Sequence, residues 1–407
     1  MLADKKKKVL YITNVNIEGK FLPGVINKIK GQIQAFGNSG FDASILYSGS
    51  NDKIILQSPG FSNRSFHGAR CVKFKDGLIS KLVSHLKVAW FGSINFKNCY
   101  TAINSDFDVI YLRFYLPGTD LIRFLKRLKK DKPSTLILLE YPTLNVVEEL
   151  KKRDMVGRVT YYLNKNKIRE LNQYTDYVVT LTKDKILFDK PALQMPNGIE
   201  LAGILPVPLP AFDNQLVLLG VASDCAFYHG FDKVIKGLAR YKSQKRHAKV
   251  LFRIVSNPLS RNVDELRALA KGLDVADMVS FELPKSREEL AEEYSQVHIG
   301  MGTLALHRIG LMDNYSLKHR EYAAFGLPFV MSKGDDHFED SPFVMTVERD
   351  EEPLDIQAVL DFYTSLRSHY PDYPQAFRKS IENTITWEAQ MKDIFAAINK
   401  GKEKQAV

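Results

Sequence analysis

Short apolar runs bounded by turn residues alternate with longer segments of helical period along this 407-residue chain, and the alternation starts over once after a proline-rich interruption. Apolar runs of that length suit strands buried on both faces, and parallel strands need connections long enough to hold a crossover helix. The pattern therefore predicts an α/β protein with two parallel sheets. In the first half the spacing predicts strands over 9–15, 42–47, 109–114, 136–140 and 177–181, with helices over 26–36, 121–130 and 165–173. In the second it predicts strands over 215–222, 250–255, 278–281, 298–301 and 328–331, with helices over 231–241, 263–271, 287–294 and 317–325.

Between the halves lie Pro196-Asn197-Gly198 and then Ile204-Leu205-Pro206-Val207-Pro208-Leu209-Pro210, whose prolines continue neither helix nor sheet. The expected division is an N-terminal domain over 1–200, a linker over 201–214 and a C-terminal domain over 215–385. Two such domains facing each other across a cleft bring strand C-termini to it, where open parallel sheets bind ligands. Three scattered cysteines, Cys71, Cys99 and Cys225, form neither a disulfide framework nor a zinc spacing. Lys5–Lys8 and the apolar 9–12 resemble a signal peptide only until Thr13-Asn14 ends the run, and no stretch of 18 apolar residues occurs. A cytoplasmic chain is expected.

Charge is uneven. Residues 1–200 hold 32 Lys and Arg against 18 Asp and Glu, and residues 201–407 hold 25 against 29, so the halves carry +14 and −4. A basic half suits an anionic partner such as an anionic membrane surface or a phosphorylated substrate. The cations gather in 81–91, 123–132 and 151–158, and Trp90 and Phe91 stand among the first group. That segment reads either as an interfacial helix or as an ordinary amphipathic one packed on the sheet. Nucleic acid is disfavoured, because no RNP-type aromatic motif or DNA-reading module accompanies the cations.

The most informative segment is 316–328. Ser316 suits an N-cap, Gly326 a C-terminal left-handed residue, and Pro328 stops continuation, which predicts a helix of about nine residues. A helix N-terminus with Lys318 in its first turn suits a phosphate, and Glu321, one turn along, suits the vicinal hydroxyls of a ribose. An ordinary surface Lys–Glu pair is the plain alternative.

Ser-Leu-Lys-x-x-Glu-Tyr-x-Ala-x-Gly-x-Pro-Phe resembles the donor-binding helix of GT-B glycosyltransferases, in particular the retaining family 4. Pro196-Asn197-Gly198-Ile199-Glu200 resembles that family's interdomain junction, and Ile385-Thr386-Trp387-Glu388 falls where its last helix begins. The resemblance covers essentially the whole chain. It implies two Rossmann-like domains facing each other across a cleft. The N-terminal domain would be the acceptor side, with a last helix over about 386–400 returning to it, and 215–385 would bind the donor. The implied activity is transfer of a sugar from a nucleotide diphosphate sugar to a glycan or lipid-linked acceptor, with retention and without a metal or other cofactor. Nothing resembles an Asp-x-Asp site. A nucleotide-sugar epimerase and a non-catalytic partner subunit share the fold and are the rival readings.

Residue by residue, the resemblance places Glu321, Lys318, Ser316 and Leu317 on the donor nucleotide, and Asp313 where the family has the first of two glutamates, beside the donor sugar. His229 stands before Gly230 where the family has a lysine on the diphosphate. Arg308 reads either as a replacement cation for the leaving diphosphate or as an ion-pair partner of Asp313 that orders the loop. On the N-terminal side Gly19, Lys20 and Gly24 fall in the loop after the first strand, which matches neither a dinucleotide fingerprint nor a Walker loop. Arg113 and Glu140 end strands there, and Glu140 is a candidate acceptor-side carboxylate.

Overall fold

The computed structural model describes residues 6–19, 23–70, 86–104, 107–113, 118–141, 155–244 and 248–401. Lys20, Phe114 and parts of the 81–91 and 151–158 segments lie outside them. The chain divides into two compact units, one formed by Met1–Pro196 with Trp387–Val407 and the other by Asn197–Thr386.

The first unit holds β1 (Lys8–Thr13), β2 (Asp42–Ser48), β3 (Lys53–Gln57), β4 (Arg64–His67), β5 (Val109–Arg113), β6 (Leu136–Tyr141), β7 (Tyr177–Thr180), β8 (Ile186–Leu187) and β9 (Lys190–Gln194). They form one sheet in the order β4-β3-β2-β1-β5-β6-β7-β9-β8. The run from β2 through β9 is parallel, and β3, β4 and β8 add antiparallel edges. The continuous apolar runs are those of the central strands, and every residue of β5 and β6 is buried. The helix Gly118–Asp131 turns Leu121, Ile122, Phe124, Leu125 and Leu128 inward and leaves Arg123, Lys126 and Arg127 exposed.

Two short helices, Trp387–Gln390 and Lys392–Lys400, complete this unit. Trp387 lies over the helix Pro23–Asn38 at Gly31, where a Cβ would sit 2.2 Å from the indole. Phe395 packs edge-on against Phe36 with ring centroids 5.5 Å apart, and Lys7 Nζ donates to the Ile398 carbonyl at 2.7 Å.

The second unit holds β10 (Gln215–Val221), β11 (Lys249–Val255), β12 (Val279–Glu282), β13 (Ile299–Met301), β14 (Phe329–Ser332) and β15 (Val344–Val347). All are parallel, in the order β12-β11-β10-β13-β14-β15. Numbered from one, this is the 3-2-1-4-5-6 order of a Rossmann sheet, which reverses direction between β10 and β13. The 201–214 segment packs as part of this unit. Ile204 and Val207 lie in its core, the Val207 N–H donates to Phe325 O at 2.9 Å, and the buried His298 joins Val217 N–H to Ala211 O through its two ring nitrogens. No helix of the described residues is long and apolar enough to cross a membrane.

Candidate functional site

Ligands of an open α/β sheet bind beyond the strand C-termini where the order reverses, here past β10 and β13. The loop after β10 ends in a 3-10 turn, Phe227–His229, and the loop after β13 carries another, Leu306–Ile309. Two backbone bonds join them, Leu304 N–H to His229 O and Ala305 N–H to Tyr228 O, both at 3.1 Å. Gly230 follows with φ 73°, and a Cβ there would lie 2.8 Å from that of Leu304. A residue with a side chain is disfavoured on both counts. The helix Phe231–Ser243 starts at this glycine, and the helix Leu317–Phe325 starts after Ser316. Ser316 has the extended N-cap conformation, but its side chain makes no capping hydrogen bond. Both helices therefore offer first-turn N–H groups and the positive ends of their dipoles.

Lys318 is 9% exposed. Its Nζ lies 3.1 Å from His229 Nδ1 and 5.0 Å from the Phe231 ring centroid. Burial brings its pKa down to about 7, opposed only by Cys225. His229 is held well below its usual range, first by burial and then by Lys318. A buried cation without a carboxylate partner is costly, and an arriving anion offsets that cost. Glu321, half-buried on the next turn, has its pKa raised by burial, against the opposing influence of Arg287 and the Tyr294 hydroxyl.

The structure changes the reading of Arg308. Its guanidinium meets Asp232 at 2.8 Å and Glu351 at 2.5 Å and also donates to Phe227 O at 2.7 Å. Asp232 and Glu351 take up the charge, and Arg308 ties the loop after β13 to the first turn of the 231–243 helix. Glu351 is correspondingly held down to about 2, chiefly by Arg308. Asp313 lies half-buried in the loop before Ser316.

Beneath these groups runs a polar layer that motif reading missed. Asn314, buried, donates to Thr303 O and Ser332 O. His319 Nε2 accepts the Thr303 N–H at 3.1 Å, so the ring proton resides on Nδ1, which faces Asp335 at 3.3 Å. Arg320 pairs with Asp335, and both are fully buried; its Nε also donates to Asn197 O at 2.7 Å. Lys318, His319 and Arg320 are consecutive, yet all three are buried. Only the repeated run of cationic and imidazole side chains in a helix that must pack on a sheet signalled this. Asp335, Asp336 and His337 bring metal-competent atoms within 4.8 Å of one another, but Asp335 is already committed to Arg320 and His319.

In the first unit Glu140 is 1% exposed. It meets Lys28 Nζ at 3.0 Å and Arg113 Nε at 3.3 Å, and accepts from Tyr111 Oη at 2.8 Å and Gln32 Nε2 at 3.2 Å. Burial pushes its pKa up, but Lys28 and Arg113 override that and hold it below the usual range. This arrangement makes Glu140 a counter-ion of Lys28 and Arg113 inside the unit. Gly19 closes a turn onto Asn16 O, and Gly24 is exposed in the first turn of the 23–38 helix.

No protein-family model matches the chain, and no curated protein matches it. Solved structures do. Sucrose-phosphate synthase from Thermosynechococcus elongatus is 12% identical with a TM-score of 0.62, the alignment covering 97% of this chain and 99% of that one. A trehalose-6-phosphate synthase is 13% identical with a TM-score of 0.64, over 98% and 100%. The catalytic domain of starch synthase IV from Arabidopsis thaliana, bound to ADP and acarbose, is 9% identical with a TM-score of 0.64, over 97% and 99%. At these identities the likeness establishes the fold. The chain has the GT-B fold of two Rossmann-like domains.

Proposed function

We propose that this protein is a glycosyltransferase that moves a sugar from a nucleoside diphosphate sugar to a glycan or lipid-linked acceptor. One observation carries the reading: Lys318 is buried with no acid partner among the described residues, where two helix N-termini meet at the sheet's reversal point. That combination suits a diphosphate. Supporting it, the structural neighbours include synthases of sugar phosphates and a starch synthase bound to ADP. In this reading His229, Gly230, Ser316, Leu317 and Lys318 hold the diphosphate, Glu321 accepts from the ribose hydroxyls and Asp313 lies by the donor sugar. Transfer proceeds with retention and without a metal, since helix dipoles and Lys318 offset the leaving charge.

A screen of UDP-, GDP- and ADP-sugars for hydrolysis and transfer tests the class. Nucleoside diphosphate release from one of them is expected. Conversion to an isomeric nucleotide sugar without any acceptor would instead make the chain an epimerase, and inertness towards all three would leave a non-catalytic subunit. In calorimetry, Glu321→Ala weakens nucleoside diphosphate binding by about 1.5–3 kcal/mol, the loss of a hydrogen bond to a charged group. Unchanged affinity in the folded variant removes Glu321 from the ribose.

The basic half is proposed to rest on an anionic membrane, with the exposed Trp90 and Phe91 inserting beside the exposed Arg123 and Arg127. Each surface cation contributes about 1 kcal/mol there. Co-sedimentation is expected with anionic vesicles at low salt and not with neutral ones; equal partitioning to both rejects the membrane and leaves an acidic soluble acceptor.

A further inference from the structure

We propose that Lys318 and His229 form one proton-sharing clamp, and that a nucleoside diphosphate sugar enters this site together with a proton taken from solvent. The inference rests on the donor-site reading above and adds the charge state of the site, which a buried lysine and imidazole control where two permanent cations would not.

The geometry sets the proton count. Two nitrogens 3.1 Å apart need one hydrogen and one lone pair between them. An ammonium on Lys318 has no lone pair, so His229 Nδ1 must accept and the imidazole proton moves to Nε2. If both groups are neutral, the hydrogen can come from either side and the pair carries no charge. With both groups charged there is no acceptor, and two cations are in contact without a counter-ion. The empty pair therefore holds at most one positive charge.

Among the described residues no carboxylate meets the pair, and the titratable ring packed on His229 is the phenol of Tyr228, with centroids 4.7 Å apart. From the loop after β10, Cys225 faces Lys318; burial pushes this thiol up towards the neutral form, with Ser256 and Lys318 opposing. Asp224 beside it is exposed. From the loop after β13 come Thr303, Leu304 and Ala305, none of them titratable. On the lysine's own helix His319 is kept as the neutral Nδ1–H tautomer by Thr303 N–H, and Arg320 and Asp335 neutralise each other. Burial holds the lysine close to neutrality, so near pH 7 the empty site is a mixture of protonated and unprotonated forms. A diphosphate diester, itself without a titrating proton in this range, selects the form with the Lys318 ammonium and the His229 Nε2–H donor. Above neutrality that form must be reached by taking up a proton.

The test is calorimetry of the full chain with UDP-glucose, ADP-glucose and GDP-mannose, in two buffers of different ionisation enthalpy at pH 6 and pH 8. Close to one proton is taken up per ligand at pH 8 and close to none at pH 6, and affinity falls by about tenfold per pH unit above neutrality. Lys318→Arg carries a permanent cation: it binds with little proton uptake and a flat pH profile. Lys318→Met folds, because it replaces a buried amine that no acid among the described residues meets with an apolar chain of similar length, and its melting temperature in the empty state rises. It loses both affinity and proton uptake. Binding by the wild type at pH 8 without proton uptake overturns the shared clamp and leaves the donor site standing. Undiminished affinity in Lys318→Met overturns both, and absence of binding to all three nucleotide sugars overturns the donor reading on which the clamp depends.

Discussion

Asp335→Asn lowers the stability of the second unit by about 3–5 kcal/mol, the cost of leaving a buried charge without its partner. Arg320 and Asp335 are both fully buried, and the remaining contacts of Arg320, to Asn197 O and His337 Nδ1, carry no formal negative charge. Burial by itself raises the pKa of Asp335, but Arg320, His319 and His337 overcome it and hold the carboxyl far below the usual range. A carboxylate depressed in the folded state stabilises fully above its unfolded pKa of about 3.9, and the contribution fades as pH falls below that value. The wild type therefore loses this stabilisation on acidification, and the variant, which lacks it throughout, shows a flatter acid limb. The two units can be followed separately. Both tryptophans, Trp90 and Trp387, belong to the first unit, so tryptophan fluorescence reports that unit while circular dichroism reports both. In a denaturant titration the dichroism transition of Asp335→Asn moves to lower denaturant and the fluorescence transition stays. Adding Arg320→Met restores much of the loss, because an ion pair replaced as a whole leaves no stranded charge.

Glu140→Gln gives the mirror image. Lys28 and Arg113 are both buried, and Glu140 is the carboxylate that both of them meet. Removing its charge takes from the buried Lys28 and Arg113 the carboxylate they share and costs the first unit about 3–5 kcal/mol, read as an earlier tryptophan transition. Burial already lowers the pKa of Lys28, with Glu140 opposing, so the amine then gives up its proton more readily in the folded state. This variant also settles between two roles. A stability loss with the turnover of the remaining folded protein retained makes Glu140 a structural counter-ion. Unchanged stability with turnover abolished would restore it as an acceptor-side carboxylate.

Strand and helix positions were legible because buried parallel strands leave continuous apolar runs: β1, β2, β5, β6, β10 and β11 all fall on segments the spacing marks. The β3–β4 hairpin escaped because its strands face water for much of their length, and Arg64–His67 shows no alternation. The helices Ile356–His369 and Tyr373–Ile381 follow the last apolar strand signal and were not marked, although Tyr363, Tyr373 and Phe377 place them in the second core. At the 317–325 helix, Ser316, Lys318 and Gly326 were readable because caps, first-turn cations and left-handed glycines are local features, whereas Gly230 came only with the family resemblance. Arg308 was not, because its partners Asp232 and Glu351 lie far from it in sequence and only the fold brings them together. The partners of Glu140 were hidden for a related reason: a carboxylate at a strand end looks the same in sequence whether it faces substrate or Lys28.

The return of the last helices to the first unit sets an order for synthesis on the ribosome. Asn197–Thr386 is contiguous, so the second unit is complete as soon as Thr386 emerges from the exit tunnel. The first unit begins earlier and finishes later: until Trp387 and Phe395 appear, the indole site over Gly31 and the apolar faces of Phe36 and Phe41 stay uncovered. Domains usually fold in the order in which they are made, N-terminal first. Here the half made first must wait for the half made second, and through that interval it is a client for whatever binds exposed apolar surface on nascent chains.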